Sequence, residues 1–131
     1  KMPFIDRLGF LQKELQGVIT LYKPEVAVIE KIFLGKNVDS AFKLGHIRGV
    51  CAVECQSYGA TIVEYAARTV KKHITGSGQA DKLVVQNFLR QHLQLSKAFR
   101  TLDESDALAI ALCHYMRQSS ENKLNRGRGL R

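Results

Sequence analysis

The sequence predicts an α/β fold in which a small sheet of parallel strands is flanked by amphipathic helices. Two short apolar runs rich in β-branched residues, at 26–29 (VAVI) and 61–63 (TIV), indicate strands. A helical pattern lies between them, and a strand, a helix and a second strand in succession predict a parallel pair with a right-handed crossover. With 131 residues, 45% of them hydrophobic, the chain can form one domain with its own core.

The first helix and the first strand follow each other directly. Apolar residues recur every three or four positions over residues 4–22, which predicts an amphipathic helix that Lys23-Pro24 ends. The unbroken apolar run at 26–29 suits a strand covered on both faces. Glu30 closes that run, and we expect it at the carboxyl edge of the sheet.

The rest of the chain is predicted to alternate helices with one more strand. A second helix, capped by Asp39 or Ser40, is expected to run to Cys55 and to precede the second strand, which continues to Tyr65. The remaining segments are a basic stretch at 68–73, a flexible Gly-Ser-Gly at 76–78, a helix at 80–95 and a last helix at 107–117, entered through an acidic segment.

The charge of the chain points to a polyanionic partner. Twenty Lys and Arg against twelve Asp and Glu give a net charge of +8. Residues 117–131 carry five basic residues and one acidic residue, which is half of that excess. We expect a domain over 1–118 and a basic, disordered tail over 119–131, which either touches phosphates or only keeps the protein soluble.

Nothing in the sequence indicates contact with a membrane. No apolar stretch approaches the roughly 20 residues that a membrane helix needs. Because no secretory leader is recognised either, we expect a cytoplasmic protein. The three cysteines lack the spacing of a zinc site and are expected to be reduced, buried side chains.

Three acids are candidates for metal binding. Asp103 and Asp106 stand three residues apart at a helix start, so they project from nearly the same side. They either cap the helix and complement its dipole, or share a divalent cation such as Mg²⁺. Glu30 lies where α/β proteins build sites, and a cation would relieve the cost of burying it. Its other interpretation is a rim glutamate paired with a lysine or solvent.

Several other residues near these acids also have more than one interpretation. Phe33, in the loop that follows Glu30, either stacks on an unpaired base or folds back on the core. The segment 76–78 with Lys82 lacks the ending of a P-loop, so we expect it only to offer backbone N–H groups to a DNA phosphate. His114 shares a helical stripe with Asp106 and is expected to pack against the sheet.

Four strings, in this order and at these separations, match one protein family together. They are VIEKIFLGKN, NVDSAFKLGHIRGV, VEYAARTVKKHITGSGQADK and DESDALAIALCH. With them the chain resembles the bacterial Holliday junction endonuclease family RuvC over almost its whole length. The resemblance implies an RNase H-like fold with a mixed central sheet flanked by helices. It also implies a homodimer, facing its partner through the first two helices, that works with the RuvA and RuvB branch-migration complex.

The same resemblance assigns roles to individual residues. Glu30 matches the family's second catalytic acid, and Asp103 and Asp106 match its acidic pair. All three are expected to be metal ligands for Mg²⁺, or Mn²⁺, with two ions per site; Asp106 is either a ligand or a base beside one. The residues expected to contact DNA are Phe33 at the junction centre, the nearby Lys36, and Lys71 and Lys82 near the scissile phosphate.

The resemblance implies a function, and one departure from the family keeps alternatives open. RuvC proteins open with a strand that carries their first catalytic Asp, followed by two more strands, and no such motif stands in this sequence, so we expect an N-terminally incomplete domain. The implied function is metal-dependent resolution of four-way DNA junctions by paired symmetric nicks in recombination and repair. The alternatives are a catalytically incomplete module that binds branched DNA, and an RNase H-like nuclease for RNA or hybrids.

Overall fold

The computed structural model describes residues 2–31 and 37–128, and for residues 126–128 the backbone alone. The described chain is α/β, and it divides into two compact units, Lys1–Glu64 and Tyr65–Arg131. The elements in chain order are α1 (Phe4–Tyr22), β1 (Val26–Glu30), α2 (Val38–Ser57), β2 (Thr61–Tyr65), α3 (Ala67–Thr75), α4 (Lys82–His92) and α5 (Leu102–Arg128).

The first unit is built on the predicted strand, helix and strand. β1 and β2 are hydrogen-bonded neighbours, and the N–H of Thr61 donates to the carbonyl of Glu25 at 2.9 Å. The two strands therefore begin side by side, as in the predicted parallel pair. β1 is half-buried rather than covered on both faces, with Glu30 at its end exposed. The core of the unit centres on Ile19, Cys55 and Ala60.

Helix α2 begins at a different residue from the one predicted. Its N-cap is Asn37, whose side-chain oxygen accepts from the N–H of Ser40 at 3.1 Å. Asp39 lies in the first turn and pairs with Lys43, one turn further on. The prediction of Asp39 or Ser40 as the cap is therefore wrong, because Asn is an equally good N-cap and Asn37 stands two residues before Asp39 and three before Ser40.

A buried acid links α1 to α2. Glu54 is 6% exposed, and its carboxylate accepts from the side-chain amides of Gln12 and Gln16, both at 2.8 Å. These two donors lie one turn apart on α1, so they present a matching pair of N–H groups to one carboxylate. Burial of an acid without such partners would cost free energy of folding.

The second unit contains a helix, α3, over a segment that is predicted only to be a basic stretch. Helix α3 buries Val70 and Ile74, which are spaced one turn apart, and exposes charged residues on its other side. Gly76 ends it with φ +81°, a conformation that favours glycine, and donates its N–H to the carbonyl of Lys72. Ala67, Val70 and Ile74 follow the spacing of an amphipathic helix, so the signal for α3 is present in the sequence, between the basic residues.

Helix α5 is longer than predicted at both ends. It begins at Leu102 rather than at residue 107, and it continues to Arg128. The segment 119–128, expected to be disordered, is helical, because each residue added to an existing helix gains a hydrogen bond that offsets the entropy lost in fixing it. No helix within the described ranges is long and apolar enough to cross a membrane.

The cysteines are free thiols, as predicted. Cys55 and Cys113 are buried and Cys51 is half-buried. Burial raises the pKa of all three thiols above the ordinary value, so each stays protonated at neutral pH. They therefore act as small apolar side chains of the two cores.

Candidate active site

The start of α5 is capped by residues other than the two aspartates. The Thr101 hydroxyl oxygen accepts from the N–H of Glu104 at 3.1 Å, and the Glu104 carboxylate accepts from the N–H of Arg100 at 2.8 Å. This closely resembles a capping box, for which T-x-x-E is the sequence signature. Capping was one of two interpretations for Asp103 and Asp106, and the structure contradicts it because other side chains perform that role.

Both aspartates therefore remain exposed on the first turns of α5. They lie three residues apart, close in angle around the helix axis, and near its positive end. Among residues 2–31 and 37–128, no three His, Cys, Asp or Glu side chains form a group that could hold a metal ion. Two carboxylates are nevertheless the number that Mg²⁺ commonly takes from a protein, with water and phosphate completing its shell. The donor set of Asp103 and Asp106 fits such an ion.

Helix α4 brings a cation to this acid pair. The Nζ of Lys82 lies 3.4 Å from Oδ2 of Asp106, and both side chains are about half-exposed. Lys82 is the first residue of α4, whose N-cap Asp81 accepts from the N–H of Val84 at 3.0 Å. The two residues are 24 positions apart in the sequence, so the packing of α4 on α5 creates this contact.

The same two helices share a buried polar contact. Ser105, which lies between the two aspartates, is 1% exposed. Its hydroxyl donates to the carbonyl of Leu102 at 2.8 Å and accepts from the side-chain amide of Gln86 at 3.1 Å. Neither Gln86 nor Ser105 is predicted as a site residue, since nothing in their types or spacing indicates a contact.

Most N–H groups in and beside the Gly-Ser-Gly loop are already bonded within the protein. The N–H groups of Gly76 and Ala80 donate to backbone carbonyls, and those of Ser77 and Gln79 donate to side-chain oxygens within the loop. They are therefore committed to the fold rather than directed at a phosphate. A Cβ on Gly78 would lie 2.8 Å from Cγ of Arg68, so glycine allows the Arg68 side chain to pack on the loop.

The remaining predicted site residues are placed as follows. Lys71 is half-buried on α3, which packs against α5 in the same unit. Glu30 ends β1 as expected, but it is exposed, so the argument from the cost of its burial is wrong. It belongs to the first unit, whereas the aspartates belong to the second. Phe33 and Lys36 lie outside the described residues.

His114 contacts the end of the second strand. Its Nδ1 lies 2.9 Å from the hydroxyl of Tyr65, the last residue of β2, and the guanidinium of Arg117 lies over the Tyr65 ring at 5.2 Å. The predicted packing of His114 against a strand residue is thus observed. Its Nε2 is buried and has no partner among the described atoms.

Comparison with known families identifies the chain. A family model described as "Crossover junction endodeoxyribonuclease RuvC" matches residues 1–114. The chain belongs to the RuvC family. This match confirms the resemblance found in the sequence motifs, and it includes every predicted site residue while leaving the basic segment 119–131 outside.

Individual RuvC proteins are similar over most of the chain. The crossover junction endodeoxyribonuclease RuvC of Bdellovibrio bacteriovorus is 52% identical over 111 residues, which are 85% of this chain and 66% of that protein. The RuvC of Chloroherpeton thalassium is 39% identical over 120 residues, 92% of this chain and 64% of that protein. The chain therefore spans slightly less than two thirds of the length of these curated relatives.

Solved structures of RuvC share the fold. The Thermus thermophilus RuvC structure has a TM-score of 0.80, and T. thermophilus RuvC in complex with Holliday junction substrate has 0.83. Each is 31% identical in sequence and covers 90% of this chain, which in turn covers 72% and 73% of those chains. The predicted α/β, RNase H-like fold is confirmed by this similarity.

Proposed function

We propose that the protein is a structure-selective endonuclease that resolves Holliday junctions by paired symmetric nicks. The observation that carries the proposal is the exposed acid pair on α5, Asp103 and Asp106. Thr101 and Glu104 cap the helix in place of these aspartates, and Lys82 lies beside Asp106. Membership of the RuvC family, and a related structure solved with a Holliday junction, support this substrate. A net charge of +8 suits DNA.

Asp103 and Asp106 would hold a divalent cation, with Glu30 as the third ligand. Mg²⁺ or Mn²⁺, two per site, would supply a more nucleophilic water and stabilise the leaving 3′ oxygen. The carboxylates are suited to this role because both are exposed at the same end of α5. Their position in the first two turns also places their negative charge where the helix dipole stabilises it.

The lysines of the second unit would hold the DNA backbone. Lys82 is bound to Asp106 only by a half-exposed ion pair, which contributes little to stability. The Lys82 ammonium can therefore leave Asp106 for a phosphate oxygen at little cost, while remaining beside the acid pair. Lys71, on the neighbouring α3, would contact the same strand, and Phe33 and Lys36 would meet the junction centre.

A second copy of the chain would pack on α1 and α2. Both helices expose large apolar side chains, among them Phe10 (59%), Leu21 (73%), Phe42 (65%) and Val53 (66%). Such residues are costly to leave in water and are typical of an interface. A homodimer would place two acid pairs on one junction, as paired nicks require. Interaction with RuvA and RuvB remains a prediction from the family, and a cytoplasmic location remains a prediction from the sequence.

A second candidate is a module that binds branched DNA without cutting it. One observation favours it: within the described ranges, no three His, Cys, Asp or Glu side chains form a group that could hold a metal ion. A binder needs only positive charge and low salt, whereas a nuclease needs a divalent cation for turnover.

The two candidates are separated by cleavage of a synthetic four-way junction by the full-length protein. We expect symmetric nicks in Mg²⁺, none in excess EDTA, and none in a linear duplex built from the same arms. Retained binding without nicks at any Mg²⁺ or Mn²⁺ concentration would favour the binding module. Faster cleavage of an RNA–DNA hybrid than of the junction would instead indicate a nuclease for hybrids.

A further inference from the structure

Helix α4 contacts the start of α5 through two polar pairs in succession. Lys82 and Gln86 lie one turn apart on the same face of α4, and their partners Asp106 and Ser105 are neighbours on α5. The donor–acceptor distances are 3.4 Å for Lys82 to Asp106 and 3.1 Å for Gln86 to Ser105. The first pair contains the candidate ligand, and the second lies directly beside it.

The two pairs differ in burial, and therefore in how firmly they hold the helices. Lys82 and Asp106 are both about half-exposed, so water and salt weaken their attraction. Ser105 is 1% exposed, and Gln86 is half-buried. A hydrogen bond to a buried hydroxyl is directional, and losing it leaves one bonding position of that hydroxyl without a partner and away from water. Of the two pairs, the Gln86–Ser105 bond is therefore the one that holds α4 and α5 in alignment more firmly.

Ser105 transmits this alignment to the acid pair. Its hydroxyl also donates to the carbonyl of Leu102, so it is tied both to the first turn of α5 and to α4. Asp103 and Asp106 flank it in the same two turns. A shift of Ser105 relative to α4 would move both carboxylates relative to Lys82.

We propose that Gln86 is a positioning residue for the acid pair. By donating to Ser105, it holds Asp103 and Asp106 at the distance from Lys82 at which both the cation and the phosphate can be bound. This inference rests on the proposed nuclease function, because it assigns Gln86 a role in that same site. In this role Gln86 acts through Ser105 and is not itself a ligand of DNA or metal.

The test compares Gln86→Leu and Ser105→Ala with Gln91→Leu in the full-length protein. Gln91 is an exposed glutamine on the same helix, so Gln91→Leu is a matched control. Three quantities are measured: kcat and KM for nicking of a four-way junction, the Kd for Mn²⁺ without DNA by electron paramagnetic resonance, and the thermal unfolding temperature. The double variant of Gln86 and Ser105 completes a mutant cycle.

We expect Gln86→Leu to lower kcat by about 10-fold at unchanged KM, since small misplacements of reacting groups are costly. The affinity of Gln86→Leu for Mn²⁺ should also be lower than that of the wild type. Ser105→Ala should show the same changes in kcat and in Mn²⁺ affinity. The double variant should lose no more kcat or Mn²⁺ affinity than either single variant. A lower unfolding temperature with wild-type kcat and Mn²⁺ affinity would make Gln86 merely structural and overturn the proposal. A wild-type protein that neither nicks nor binds Mn²⁺ would instead overturn the proposed function, and this inference with it.

Discussion

Lys82 and Asp106 face each other across the contact between α4 and α5, with Nζ of the lysine 3.4 Å from Oδ2 of the aspartate. The pair joins a residue proposed to bind phosphate to one proposed to bind metal. Because both side chains are half-exposed, the pair contributes little to folding, and each partner can exchange the other for a ligand. The site therefore carries its own counter-charge while no substrate is bound.

Asp106→Asn is expected to abolish nicking while junction binding is retained or tightened. The variant loses a ligand charge, and the net positive charge of the protein rises. We expect the nicking rate to fall by about 100-fold or more, equivalent to about 2.7 kcal/mol in the barrier. Glu25→Gln removes one negative charge from an exposed side chain in the other unit, and serves as the control. Wild-type nicking of a four-way junction by Asp106→Asn would exclude Asp106 from catalysis.

Thr101→Ala is expected to destabilise the second unit, whereas Asp103→Asn is not. The alanine variant removes the acceptor for the N–H of Glu104, and loss of an N-cap costs about 1 kcal/mol. Asp103→Asn removes no capping bond and should change stability by less than about 0.5 kcal/mol. Urea unfolding measures both. A larger effect at Asp103 than at Thr101 would restore the capping interpretation of the aspartate.

Glu54→Ala is expected to loosen the packing of α1 on α2. It removes two hydrogen bonds to a buried carboxylate, which should lower the free energy of unfolding by about 2–3 kcal/mol. Gln12→Ala is the matched control, because Gln12 is exposed and contributes only one of those bonds. Equal effects of the two substitutions in urea unfolding would show that the buried carboxylate is not the centre of this contact.

The buried thiol of Cys113 is expected to make the protein less stable at alkaline pH. Burial raises the pKa of the Cys113 thiol above its ordinary value of about 9, against the opposing effect of Arg117. As pH rises past 9, the unfolded chain releases this proton and the folded chain keeps it, so stability is lost. Cys113→Ala should therefore show a smaller loss of unfolding free energy between pH 7.5 and 10 than the wild type. If Cys113→Ala lost as much unfolding free energy as the wild type over this range, ionisation of Cys113 would not contribute to the alkaline loss of stability.

Much of the fold and the family could be predicted because those signals are local. The repeat of apolar residues from Phe4 indicates which face of the first helix is buried, and the β-branched runs indicate the two strands. The observed bounds of α1, β1 and β2 agree with the predicted ones within a residue or two. The T-x-x-E signature of the capping box was also present in the sequence, at Thr101 and Glu104, and was overlooked.

The contacts that define the candidate site were decided only by tertiary structure. Lys82 and Asp106 are 24 residues apart, and Gln86 and Ser105 are 19 apart, so no local pattern indicates that they meet. The exposure of Glu30 and the burial of Ser105 likewise depend on what packs around them rather than on residue type. The sequence determined which side chains with the right chemistry are available and in which elements they lie. Packing of α4 on α5 determined which of them share a site, because hydrogen bonds and ion pairs require separations of about 3 Å that only the folded backbone sets.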